Sequence, residues 1–476
     1  MYAKPFFYAD RKPFLREGRT DSKSTRRIYN SMQERWKGKS IHFIGVGGIS
    51  MSALIRIAAK LGAVVSGSDR TASEEFVSLQ KQGFNVYLGS RPEVAKRADV
   101  VVYTAAIKEQ DSERVAAGER GITRAAFLSE ICGYFNKTIA VSGTHGKTTV
   151  SAMISCCAAA GGAKFSAHIG GVVRNFSGNT FLAGEDLFIT EACEYKDSFL
   201  SLRPDMAIVL NAERDHSDYF LSMEQIYRSF STFASQVKKG GTVILGEGVS
   251  PHINVCACDG IRIYRYGEDF DFLKAEGGGF YLKVKGQPDR FFTTPAKGKH
   301  NLYNAAVAAF ASLLAGISED GVRMGLAAFL GVKRRYEYMG NTIGGAPVVH
   351  DYAHHPSEIR AVLEVAREQT QGRLIVVFEP HTYSRTKGLF RDFTEVLSQA
   401  DVLIMLPTYS AREVPAEGVD AKTLFCAVTA PERYYLSDYA SAKGLIDRLA
   451  RSRDSVLILG AGSVEELAES FRKDRV

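Results

Sequence analysis

The residues best suited to chemistry form one run, Gly143-Thr144-His145-Gly146-Lys147-Thr148-Thr149. It follows the apolar stretch 138–141 and opens a helical pattern over 147–160, the strand–loop–helix order of a phosphate loop. Backbone N–H groups of such a loop, with the helix N-terminus behind them, cradle a polyphosphate. Lys147 would bridge β and γ oxygens, and Thr148 would offer its hydroxyl to Mg2+. The strict phosphate-loop pattern has glycine where Val141 stands, so the loop here has the shorter form G-x-x-G-K-T-T. The alternative, a glycine-rich turn with a solvated lysine, fits the strand–loop–helix context less well.

Carboxylates and imidazoles follow other apolar runs. Glu191-Ala-Cys-Glu194 comes after 187–190, and Asp215-His216-Ser-Asp218 after 206–210. In a parallel sheet both fall at carboxyl ends of strands, beside the phosphate loop. A carboxylate and an imidazole near a triphosphate suit Mg2+ binding and charge neutralisation. The turn Gly45-Val-Gly47-Gly48 reads as a phosphate site for a nucleotide diphosphate, or as a plain tight turn. Ser50 takes the place of the last glycine of a dinucleotide pattern, and Asp69 lies where a ribose-binding acid sits in such folds. His300-Asn301-Leu-Tyr-Asn304 opens a helix; its amides suit an adenine edge, with helix capping as the alternative. Further on come Asp351-Tyr352-Ala-His354-His355-Pro356 and Glu379-Pro-His381-Thr382-Tyr-Ser-Arg385-Thr386. Arg385 suits bidentate carboxylate recognition, and His354 and His381 suit orientation of an anionic substrate. Spacing alone does not pair these two loops.

Strands alternating with helices must position these groups. Residues 41–44, 63–66 and 99–104 read as strands and 49–61 as a helix, which indicates a parallel sheet. A new unit begins near Arg124, with strands at 138–141, 187–190, 206–210 and 242–245. Residues 261–266 and 280–285 alternate between glycine-rich turns and read as hairpins. A helix covers 301–314 and a second runs to about 330. The basic Lys333-Arg334-Arg335 marks a hinge, followed by strands at 347–350, 374–378, 402–406 and 456–459. The expected fold is α/β with three domains after an extension. These are a basic extension 1–40, a Rossmann-like unit 41–124, a P-loop ATPase-like unit 125–334 with a mainly parallel sheet, and a second Rossmann-like unit 335–476.

Composition narrows the class. A chain of 476 residues is too long for one domain and long enough to build several cores without disulfide or metal staples. No apolar stretch reaches ~18 residues, which speaks against a membrane-spanning helix. The net charge is +7, but residues 1–40 hold eleven basic and four acidic groups. The rest is formally neutral, so no broad basic field for nucleic acid is expected. The extension has no signal-peptide core, its longest apolar piece being Phe6-Phe7-Tyr8-Ala9. It reads as a disordered tail, a helix around 26–36, or a contact for an acidic partner, and removal of residues 1–38 is expected to spare catalysis. Seven cysteines, an odd number, suggest reduced thiols in a cytoplasmic protein; the lone Cys256-x-Cys258 has no second pair to make a zinc site.

The order G-x-G-G, G-T-H-G-K-T-T, E-A-C-E, D-H-S-D, H-N-x-x-N, D-Y-A-H-H-P, P-H-T-Y-S-R-T resembles the Mur ligases over about residues 41–476. Within that family the pattern is most similar to the branch that joins L-alanine to UDP-N-acetylmuramate in the first peptide-forming step of peptidoglycan precursor synthesis. The resemblance implies three domains that bind the UDP-sugar, ATP and the amino acid in turn, with amide formation through an acyl phosphate. It implies ATP and Mg2+ as cofactors, two ions, with Mn2+ as a substitute. It assigns Gly143 to Thr149, Asn301, Asn304, Arg335 and Asp351 to ATP. Gly45, Gly47, Gly48, Ser50 and Asp69 go to the UDP-sugar. Thr148, Glu191 and His216 go to metal, and Tyr352, His354, His381 and Arg385 to the amino acid and lactyl group. Lys147, Glu191, His216, His354 and Arg385 form the catalytic set. Two positions depart from the pattern. Thr382 stands where some relatives have arginine, and Phe230 where sister ligases have a carbamylated lysine. A murein-peptide recycling ligase of the same family, a nicotinamide-dependent oxidoreductase and a non-catalytic binding module are the alternatives. Monomer and homodimer stay open.

Overall fold

The structure, a computed structural model, describes residues 35–216, 219–249, 251–255, 260–411, 413–414 and 418–472. Asp218, Cys256, Cys258 and the extension up to Glu34 lie outside the described residues.

Three sheets follow one another along the chain. The first holds β1 (Ser40–Ile44), β2 (Val64–Asp69), β3 (Asn85–Leu88), β4 (Val100–Tyr103) and β5 (Gly121–Thr123) in the order 3-2-1-4-5. All its pairings are parallel. The second holds β6 (Lys137–Ser142), β7 (Phe165–Val173), β8 (Gly178–Leu182), β9 (Leu187–Glu191), β10 (Met206–Val209), β11 (Thr242–Leu245) and β12 (Arg262–Arg265), in the order 12-11-10-6-9-7-8. Only β8 runs antiparallel to its neighbour. A small antiparallel sheet of β13 (Phe270–Lys274), β14 (Gly279–Val284) and β15 (Arg290–Thr293) is appended. The third large sheet holds β16 (Glu337–Asn341), β17 (Pro347–Asp351), β18 (Leu374–Phe378), β19 (Val402–Met405), β20 (Glu432–Tyr435) and β21 (Ser455–Leu459), in the order 16-17-21-18-19-20. Here β16 alone is antiparallel.

The middle sheet decides where the site lies. β6 sits between β10 and β9, both parallel to it. Chains leave β6 towards opposite sides, so a crevice opens at the carboxyl ends of these three strands. The strands are buried on both faces, as expected for a covered parallel sheet. Val141 is fully buried inside β6, which explains valine at that position: it is sheet core, and the loop proper starts two residues later.

One expectation is corrected. Residues 261–266 do not form a hairpin arm. β12 is the edge strand of the middle sheet, parallel to β11, and only β13–β15 form antiparallel arms. An edge strand covered on one face alternates just as a hairpin arm does; Tyr264 meets Phe310 edge-on at 5.2 Å while Arg262 is exposed. β7 and β8 were not anticipated, because Gly170-Gly171 interrupts the apolar run that would mark a strand.

The start of the first unit differs from the charge-based division at residue 40. Arg35 and Trp36 are helical, and Trp36 is 6% exposed, set edge-on against Phe127 at 5.4 Å. Arg35 pairs with Glu130 at 3.1 Å, and Gly38 N–H donates to Gly62 O. Removing residues 1–38 would therefore take out a core tryptophan. Trp36→Ala is expected to cost ~3–5 kcal/mol in chemical denaturation; an unchanged midpoint would show that Phe127 repacks without it.

Candidate active site

The phosphate loop leaves β6 at Ser142 and returns as the helix Lys147–Ala160. Gly146 has φ +85°, and a Cβ there would meet Asn304 Oδ1 at 2.7 Å, so both backbone and space demand glycine. Asn211 fastens the loop: its Oδ1 accepts the His145 N–H at 2.8 Å and its Nδ2 donates to His145 O at 3.1 Å. Sequence reasoning missed Asn211, although it directly follows the apolar run that becomes β10.

Lys147 Nζ lies 2.9 and 3.1 Å from the two carboxylate oxygens of Glu194, and donates also to the carbonyls of Gly143 and Thr144. Burial opposes both charges, but each holds the other: Lys147 is raised by Glu194, and Glu194 is lowered by Lys147 and His216. His216 Nε2 is 3.6 Å from Glu194 Oε1, on a backbone with φ +52°. Glu191 ends β9, and its Oε1 accepts the Gly170 N–H at 2.5 Å. Burial pushes the Glu191 carboxyl up, and Gly170, Lys147 and Thr148 offset this only in part. A half-buried, under-compensated carboxylate sharing a cavity wall with a hydroxyl and an imidazole is a donor set that suits a hard divalent cation.

These groups face one cavity of about 650 Å³, which also takes in Gly47, Arg335, Tyr352, His354, His381 and Arg385. A neighbouring cavity of about 460 Å³ is lined by Tyr266, Phe272, His300, Asn301 and Asn304, with His145 and Arg335 common to both. Its mix of rings and amides suits a base. Tyr303, whose hydroxyl donates to Leu210 O and accepts the Glu247 N–H, fixes the floor. A third cavity of about 890 Å³ lies beyond His216 and Arg385, against residues 105–109 of the first unit.

In the third unit, Arg385 is 9% exposed. Its Nε and Nη2 reach Asp215 Oδ1 at 3.1 and 3.0 Å, and its Nη1 reaches His381. His354 Nδ1 is 2.9 Å from Tyr352 O, and burial drives its pKa down to about 3. Burial with Arg385 lowers His381 to about 4, so both imidazoles are neutral near pH 7. Thr382 sits at φ +71° with its N–H on Tyr409 O.

Several residues of the expected set do other work. Asp69 is engaged by its own turn: its Oδ2 takes the Gly47 N–H at 2.8 Å and its Oδ1 takes the Thr71 N–H, because the glycine turn needs an acceptor. Ser50 is held by Arg124 at 3.0 Å and by His168 at 2.9 Å, inside the junction of the first and middle units. Gly45 and Gly48 shape the turn, and of that set only Gly47 reaches the cavity. Asp351 lines the base cavity, yet both its oxygens hold backbone, Tyr336 N–H and Ala353 N–H, so it braces the hinge. Burial raises it to about 6.

His145 links the loop to the third unit. Its Nδ1 is 3.2 Å from Glu358 and its Nε2 3.4 Å from Glu213. Burial disfavours its charge, but the two carboxylates outweigh burial and raise it to about 9. A raised folded-state value contributes stability at neutral pH and below, lost as the pH rises through about 9. In metal-free buffer the thermal midpoint should fall over that window; a flat profile would mean the pairing adds nothing.

Three family descriptions match in chain order: Mur ligase family, catalytic domain, over residues 40–136; Mur ligase middle domain over 141–312; and Mur ligase, glutamate ligase domain, over 334–462. A UDP-N-acetylmuramate–L-alanine ligase of Agathobacter rectalis is 36% identical, covering 91% of this chain and 97% of the relative. The chain belongs to the Mur ligase family. Among solved structures, the UDP-N-acetylmuramate–alanine ligase of Thermotoga maritima shares the fold with a TM-score of 0.74 at 22% identity, over 91% of this chain and 98% of that one. A murein peptide ligase of Psychrobacter arcticus does so at 0.69 and 23%, with the same coverage. Among the described residues, no helix of this Mur ligase is long and apolar enough to cross a membrane.

Proposed function

We propose that this Mur ligase joins L-alanine to the lactyl carboxylate of UDP-N-acetylmuramate at the expense of ATP, in the cytoplasm where these solutes are found. The observation that carries it is the single cavity onto which the phosphate loop and Glu191 open from one side of the hinge and Arg385 from the other. The first unit takes the UDP-sugar, the middle unit ATP and the third the amino acid. Asn301 and Asn304 hold the base, and the loop amides with Lys147 hold the phosphates.

A carboxylate resists amide formation because it has no good leaving group. Transfer of the γ-phosphoryl group to the lactyl carboxylate supplies one, giving an acyl phosphate and ADP. The amine of alanine then attacks the acyl carbon, and the tetrahedral adduct expels phosphate. The repulsion between carboxylate and triphosphate is met by preorganised positive groups, Lys147 first among them. Thr148, Glu191 and His216 would hold Mg2+, which, when bound, neutralises phosphate charge. Arg385 fixes the alanine carboxylate. Neutral His354 and His381 stand beside it and orient the amino acid and the lactyl group.

The test is ADP release with UDP-N-acetylmuramate and a panel of amines. Turnover that requires both the sugar nucleotide and L-alanine supports the reading. Preference for a murein tripeptide would replace it with the recycling activity.

A further inference from the structure

A second group of ligand-type side chains converges where the third unit meets the phosphate loop. His145 comes from the loop, Glu213 from the segment after β10, and His355 from the N-terminus of the helix Pro356–Gln369. His145 Nε2 is 3.4 Å from Glu213 Oε2, and His355 Nδ1 is 3.9 Å from the same oxygen. One ligand atom from each residue lies within 4.8 Å of the other two. Tetrahedral coordination at ~2.0–2.2 Å places ligand atoms about 3.3–3.5 Å apart, so small side-chain adjustments would close the group on an ion.

The proton is already placed for it at His355, whereas His145, held between two carboxylates, has one to give up. Metal-binding imidazoles generally donate their other N–H to a carboxylate or a carbonyl, which fixes tautomer and ring orientation. Both do so here. His355 Nε2 is 3.0 Å from Arg214 O. A carbonyl only accepts, so Nε2 carries the proton and Nδ1 is the unprotonated nitrogen, which here accepts the Ser357 N–H as the cap of the helix and would exchange that contact for an ion. His145 Nδ1 faces Glu358 Oε1 at 3.2 Å, leaving Nε2 aimed at Glu213. The Ser357 hydroxyl lies 3.0 Å from His145 Nε2 and 2.8 Å from His355 Nδ1, so it faces both imidazole ligand atoms. The Glu213 side chain is 41% exposed, and His145, Glu213 and Ser357 line the base cavity, which gives an ion a route in.

We propose that His145, Glu213 and His355 bind one borderline divalent metal ion of the Zn2+ class, fastening the third unit to the phosphate loop. The site is distinct from the Mg2+ position around Glu191. Two imidazoles and a carboxylate, with a fourth place left for solvent or Ser357, favour Zn2+ or Co2+ over Mg2+. Binding displaces the proton shared between His145 and its carboxylates, so affinity rises with pH. The inference does not depend on which amine the ligase uses.

The full-length, metal-free protein is titrated with Co2+ in saturating Mg2+. The expected result is one equivalent bound with the intense visible absorption of a low-coordinate ion, displaced by Zn2+. Glu213→Gln changes a half-exposed group with its shape kept; it should weaken binding by ~10-fold or more. His355→Asn should do the same, while Glu191→Gln keeps the band. Absence of the band in the wild type would overturn the proposal, as would unchanged affinity in Glu213→Gln or loss of the band in Glu191→Gln.

Discussion

Lys147→Ala should lower the ligation rate by ~10²-fold or more, because one preorganised cation facing the developing phosphoryl charge is removed. The structure adds a second consequence. Lys147 also neutralises Glu194, whose carboxylate is almost entirely buried between the lysine and His216. Removing one partner of a buried pair leaves the other uncompensated, at ~3–5 kcal/mol. A loss of activity in Lys147→Ala alone would therefore confuse chemistry with folding. The double variant Lys147→Ala/Glu194→Gln separates them. It should recover most of the stability in chemical denaturation, since the orphaned charge is gone, and recover none of the rate of ADP formation. A single variant with near-normal kcat would remove Lys147 from the reaction. A double variant that regains activity would make its role purely structural.

What the sequence disclosed and what it hid divide along a physical line. The phosphate loop was legible because its chemistry lies in consecutive residues, and strand–loop–helix order follows from an apolar run, two glycines and a helical pattern. The placement of Glu191 and His216 beside it was also legible, since carboxyl ends of parallel strands share one edge. Asp69 was read by its distance along the chain from the glycine turn, but its partner is decided by which backbone N–H groups that turn leaves unsatisfied. Asn211, Glu358 and Glu213 act on His145 across a fold, and spacing carries no trace of that. The same holds for Ser50, pulled into a junction with His168, 118 residues away. Trp36 was hidden differently: the charge around it made it look like part of a tail, while its contact, Phe127, lies far along the chain in the helix Arg124–Cys132.

Arg385 carries the other large expected effect. Its guanidinium spans the hinge contact, with Nε and Nη2 on Asp215 of the middle unit and Nη1 on His381 of its own. It is also the arginine proposed above to receive the amino-acid carboxylate, in a cavity that Arg334 and Arg335 line as well. Arg385→Ala should raise KM for L-alanine by roughly 10²-fold, the order of a lost charge-assisted pair of hydrogen bonds. It should also destabilise the fold by ~3–5 kcal/mol, because Asp215 stays buried without its cation. Arg385→Lys should restore little of either, since one ammonium cannot serve Asp215 and His381 at once. The pH dependence distinguishes the two effects. Burial works against the Asp215 carboxylate, but Arg385 outweighs it and holds the group far below the ordinary carboxylate range. A depressed folded-state value gives stability that is present above the unfolded pKa of about 3.9 and is lost as the pH falls below it. The stability gap between wild type and Arg385→Ala should therefore narrow in acid, whereas the defect in alanine use should persist wherever both proteins stay folded. If KM for alanine is unchanged in a folded Arg385→Ala protein, the carboxylate is held elsewhere and Arg385 serves only to hold the units together.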